Sequence, residues 1–69
     1  MTDDELQVLK KDAAKKKRIA SEWASQLHDL VEDKLPNGYE ILPELTQSTF
    51  DACKAAVEAE KLYQQAKGS

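Results

Sequence analysis

Three of the four residues in this chain that most readily interrupt a helix, Pro36, Gly38 and Pro43, stand together near its middle, and the fourth, Gly68, is at its tail. Proline has no amide hydrogen to donate and glycine loses the most freedom on ordering, so segments free of both can stay helical while the cluster between them cannot. The 69 residues are thereby divided into two long arms around one turn. This points to an all-α fold, a two-helix antiparallel hairpin, with residues 1–69 as a single domain. The expected layout is a helix over about 3–34, a turn at 35–39, and a second helix over about 40–66. Its regular start lies between Tyr39 and Pro43, because proline is tolerated in a first turn. No strand pattern competes.

The first arm opens with Thr2 and Glu5, the spacing of a capping box, with Asp3 and Asp4 placed where a helix dipole favours negative charge. A stripe then runs through Leu6, Leu9, Ala13, Lys16, Ala20, Trp23, Leu27 and Leu30 at alternating intervals of three and four, the pattern of a seam against another helix. The second arm carries its own stripe through Leu42, Leu45, Thr49, Ala52, Ala56, Ala59 and Tyr63, whose alanines permit close approach. Val8, Ile19, Ala24 and Val31 widen the first stripe, and Phe50, Cys53, Val57 and Leu62 the second. Trp23 and Phe50 read as core or interface anchors. Tyr39 is the exposed aromatic of the turn, and Asn37-Gly38 suits a tight reversal through positive φ.

Two helices cover only one side of each other, and a chain of this length rarely gains more than about 3–5 kcal/mol from its own core. Cys53 is the only cysteine, so no disulfide can form within the chain. Self-association and metal binding remain as sources of the missing stability, and two hairpins pairing into a four-helix bundle is the economical arrangement, as a dimer or a tetramer of the chain.

One third of the residues are charged and the net charge is −3, which favours solubility and gives no general reason to expect nucleic acid. The start MTDDELQV has neither a basic segment nor an apolar run, so no signal peptide is read there. No stretch is apolar enough to cross a membrane, and the cytoplasm is the expected location.

The catalytic inventory is thin: one histidine, one cysteine, and no G-x-S-x-G, H-E-x-x-H, C-x-x-C or glycine-rich phosphate loop. The expectation is a protein that is not an enzyme. His28 and Glu32, four apart, share a helix face, and an imidazole beside a carboxylate is a partial site for zinc, nickel or iron. Asp29 is a further ligand or an acceptor behind one. Cys53 would sit near the level of Trp23 or Ala24 across the hairpin, where a thiolate ligand is conceivable, although a small buried apolar residue is the commoner role for a lone cysteine. Taken alone, the residues around His28 are accounted for more simply as a solvated acidic surface. The run Lys10, Lys11, Lys15, Lys16, Lys17 and Arg18 is the densest charge feature. A solvated face balanced by Glu58 and Glu60 of the other arm ranks first for it, an acidic protein partner second, and RNA third, since stacking aromatics are absent around it.

Leu27-His28-Asp29-Leu30-Val31-Glu32-Asp33, then Leu35-Pro36-Asn37-Gly38-Tyr39-Glu40, then Thr49-Phe50-Asp51-Ala52-Cys53 resemble the small Rop-like helical-hairpin family found alongside nitrogen-fixation genes in bacteria and cyanobacteria. The likeness runs from about Ser25 to Leu62; Lys34 lengthens the step before Leu-Pro relative to the family pattern. The resemblance implies paired helices assembling into four-helix bundles, a metalloprotein character in some members, and a setting in nitrogenase maturation, metal-cluster supply or electron delivery. It also implies that His28 and Glu32, then Asp29 and Asp51, are functional. The leading expectation is therefore an accessory protein of nitrogen fixation binding a metal ion or a nitrogenase-related partner. A metal-free interaction module is the alternative, and an RNA-binding hairpin the third.

Overall fold

The computed structural model describes residues 2–68. Helix α1 covers Asp3–Asp29, a widened π turn follows over Leu30–Lys34, a single 3-10 turn covers Tyr39–Ile41, and helix α2 covers Leu42–Gly68. The two long helices lie side by side in a rod of 51 × 14 × 13 Å. The fold is thus a two-helix antiparallel hairpin.

At the start of α1 the Thr2 hydroxyl accepts from the Glu5 backbone N–H at 3.2 Å, and Asp3, Asp4 and Glu5 fill the first turn. This satisfies one of the amides that a helix start leaves without an internal partner. At the far end the backbone opens into the wider π spacing, with the Leu35 N–H donating to the Leu30 carbonyl five residues back. Leu35 itself is extended (φ −86, ψ 147), as expected before a proline, and the helix ends there. Pro43 occupies the first turn of α2, where its missing N–H costs nothing. Side-chain hydroxyls of Thr46 and Thr49 donate back to the carbonyls of Leu42 and Leu45, at 2.7 and 2.8 Å.

The turn corrects one expectation. Among the described residues none has positive φ, and Gly38 sits at φ −86, ψ 15, a conformation open to any residue. Gly38 is needed instead for room. A Cβ there would lie 3.0 Å from Leu30 Cδ1, 3.1 Å from the Lys34 carbonyl oxygen and 3.2 Å from Lys34 Cβ. The Gly38 N–H also donates to that same carbonyl at 2.6 Å, so the backbone is drawn tightly onto the π turn. Gly38→Ala should therefore lower stability by about 1–2 kcal/mol through crowding. A urea titration of the variant checks this, and an unchanged midpoint would show that the turn relaxes freely.

Every residue of the two seam stripes is buried or half-buried, but only Ala13, Ala20, Leu30 and Ala59 are fully enclosed. Leu6, Leu9, Trp23, Leu27, Leu42, Leu45 and Tyr63 keep one side open. The reason is geometric: two cylinders in contact enclose only the line between them, and small residues on that line bring the cylinders close.

Of the two roles expected for Phe50, core anchor or interface anchor, the hairpin excludes the first. Phe50 is 63% exposed, so within one hairpin it anchors no core. It follows the seam residue Thr49 by one position, and a step of one residue turns a side chain about 100° away from the seam.

Candidate functional site

His28 lies in the last turn of α1 and Glu32 in the π turn that follows, and their side chains meet with Nε2 3.3 Å from Oε1. Both are mostly exposed, at 68% and 61%. This is the pairing that the four-residue spacing predicts, formed across the junction where the backbone widens. An imidazole nitrogen and a carboxylate oxygen suit a borderline divalent metal, yet they provide two donors where a tetrahedral site needs four.

Asp29 is exposed beside the pair but faces the other way, lining a crevice with Gln26, Leu30, Lys34, Ile41 and Leu45. Cys53 is exposed rather than buried, because it follows the seam residue Ala52 by one position. Nor is it level with Trp23. Trp23 shares a crevice with Leu45 and Ser48, whereas Ala13 shares one with Ala56 and Glu60, so Cys53 lies between those levels, opposite the region of Lys17. From there to His28 is on the order of 15 Å along the rod at 1.5 Å per residue. Among the described residues no three His, Cys, Asp or Glu side chains come together as a metal-binding group. His28 and Glu32 are thus brought together, and Asp29 and Cys53 are not joined to them within one chain.

The second arm does not neutralise the basic run. Among the described residues the ion pairs are Lys16–Asp12 at 3.0 Å and His28–Glu32, both within the first arm. Glu60 lines a crevice with Lys17 and Lys61, but its carboxylate accepts from Gln64 at 2.9 Å. Glu58 precedes the seam residue Ala59 and so lies on the opposite side of the rod from Glu60, which follows it.

That last point describes the whole molecule. In an antiparallel pair, residues that follow a seam position turn toward one long face from both helices, and residues that precede one turn toward the other. The crevices bear this out: Lys17, Val57 and Glu60, all following seam positions, line one together, and Ile41, Glu44 and Ser48, all preceding, line another. The following positions include Lys10 and Lys17, with Glu60 their only carboxylate. The preceding positions include Glu5, Asp12, Glu22, Asp29, Glu44, Asp51 and Glu58, with Lys15 their only cation. One face of the rod is strongly acidic and the other carries a small positive excess. Sequence reasoning missed this, although the signal lay in the residues on either side of each seam position.

Among the described residues no helix is long and apolar enough to cross a membrane. Neither the curated proteins nor the solved structures include a significant match to this chain. The model of the Rop-like family, by contrast, matches residues 4–67, which takes in both helices and the turn between them. The chain therefore belongs to the Rop-like family, as a small, non-catalytic helical domain.

Proposed function

We propose that this chain is an accessory protein of nitrogen fixation that works as paired hairpins and binds a divalent transition metal (iron, nickel or zinc) through His28 and Glu32. The observation that carries the metal reading is the 3.3 Å contact between these two exposed side chains at the end of α1. It is half a site, and a second copy would bring a second imidazole and carboxylate, with Asp29 or Cys53 of either copy as further donors. The half-open seam supports pairing: Trp23, Leu27 and Leu45 each keep a side that a second hairpin would cover in a four-helix bundle. The nitrogen-fixation setting rests on the resemblance of the segments from Leu27 to Glu40.

Native mass spectrometry of protein purified without an affinity tag, with elemental analysis of the same sample, tests this. The expected result is an oligomer carrying stoichiometric metal, and His28→Ala should remove the metal while the helical circular dichroism persists. Unchanged metal content in the variant rejects these ligands, and a monomer at micromolar concentration rejects pairing.

A second reading has its own support. Lys10, Lys11, Lys17 and Arg18 form no ion pair among the described residues, which suits a metal-free module that docks an acidic nitrogenase-related protein. A metal-free oligomer that retains such a protein in a pull-down from nitrogen-fixing cells would favour it.

A further inference from the structure

We infer that a second copy of the chain seats on one of the two long faces and not the other: the face of the residues that follow seam positions, where Lys17, Cys53 and Val57 stand. This rests on the pairing reading above and deepens it by naming the surface that closes the bundle.

The two long faces differ in how far the hairpin already covers them. Every residue that follows a seam position is exposed, in both arms. Among those that precede one, Asp12, Ile19, Ser48 and Ala55 are half-buried. The line of contact between α1 and α2 is therefore displaced toward the preceding side, and the arms part on the following side. A crevice of about 370 Å³ opens there, with the seam residues Ala13 and Ala56 at its base and Val57 beside them. In a four-helix bundle each helix touches two neighbours, one on either flank of its seam, and the seam points to the common centre. Arms that meet on their preceding flanks leave the following flanks for the second neighbour.

Charge makes the same choice. A two-fold pair sets the same patch on both sides of its interface. The preceding positions carry seven carboxylates and one lysine, so pairing there would press two acidic rows together and strip them of water. Burial of Val8 and Leu62 does not offset that. The following positions carry Lys10, Lys17 and Glu60, a nearly balanced set, with Ala24, Val31 and Cys53 among them. Two such patches meet without a row of like charge. A strongly acidic or strongly basic partner finds no match, because Glu60 and Lys17 share the crevice. The surface suits a copy of itself. His28 follows Leu27 and stands at the turn end of this face, so a copy seated here is also placed to extend the ligand set at His28.

The test is thiol labelling of the whole chain, with sedimentation in the same buffer and a chelator present so that no metal shields the thiol. Cys53 is exposed in one hairpin and should react about tenfold or more slowly once the chain is paired. The reference is Asp51→Cys in a Cys53→Ser background, two residues away on the acidic face, which should react as an open thiol at every concentration. Dilution to the monomer should bring Cys53 up to that rate. Ala24→Glu with Cys53→Glu should raise the dissociation constant by about a hundredfold or more, because each copy would bury unpaired carboxylates. Val8→Glu with Leu62→Glu, at 66% and 57% exposure on the acidic face, should leave it within about fivefold. If the Ala24/Cys53 variant loses its helical circular dichroism, labelling of the unaltered chain decides alone. An oligomer in which Cys53 reacts as fast as the reference thiol overturns this face and leaves pairing intact. So does an oligomer that the Val8/Leu62 changes dissociate and the Ala24/Cys53 changes do not. A monomer at micromolar concentration overturns pairing itself, and this inference with it.

Discussion

Leu30→Ala is expected to cost about 2–5 kcal/mol, the range for emptying a buried leucine site. Among the described residues Leu30 is the one large side chain that is fully buried, at 2% exposure, and it sits where α1 gives way to the π turn. Its Cδ1 also approaches the Gly38 backbone closely enough that a Cβ there would lie 3.0 Å away. The leucine therefore joins the end of the first arm to the turn. In a chain whose core yields about 3–5 kcal/mol, that loss leaves the isolated hairpin largely unfolded at room temperature. A thermal melt followed by circular dichroism checks it. Val31→Ala, next in sequence but 54% exposed, is the comparison and should change little. If the two variants melt together, the core is not where the burial places it.

Ala59→Leu should destabilise by about 1–3 kcal/mol or force the arms apart, because the position is only 4% exposed and the added atoms have no space. The same substitution at Ala14, which follows a seam position and is exposed, should fall within about 0.5 kcal/mol of the parent. Chemistry and helix propensity are identical in the pair, so the difference measures how closely the helices approach. Chemical denaturation of both proteins supplies the comparison, and equal midpoints would mean that α1 and α2 are not in contact at Ala59.

The seam was legible because intervals of three and four fix which side chains face a neighbouring helix. Leu6 through Leu30 and Leu42 through Tyr63 are the residues that lose exposure. The role of Gly38 was not legible, since a turn glycine can be needed for its φ or for the space it leaves, and only the nearby Leu30 and Lys34 decide which. Cys53 was expected to be buried and Phe50 to anchor the core or an interface; both are exposed in the hairpin because each is one residue beyond the seam, and apolar character alone does not tell whether such a position is covered. The His28–Glu32 contact follows from spacing, whereas the rest of any metal site does not, because further donors would come from another molecule. The sorting of charge into two faces needed the direction of the turn, which decides whether the two arms add their charges on one side or cancel them.

That sorting has a consequence for how the molecule moves before it touches anything. The dipoles of two antiparallel helices of equal length, each 27 residues, oppose one another and largely cancel along the rod. Side-chain charge does not cancel: nine of the ten Lys and Arg lie in residues 1–18 and 54–69, at the open end. The main moment therefore runs along the rod from the turn to the open end, and the carboxylate-to-lysine sorting across its width is a second component. In the field of an acidic surface such a rod swings its lysine-rich open end toward that surface and rolls about its long axis to bring the lysine side round. Encounters with an acidic surface are thereby oriented at a distance of about one Debye length, roughly 8 Å at physiological salt, and the gain appears in the association rate rather than in the lifetime of the complex.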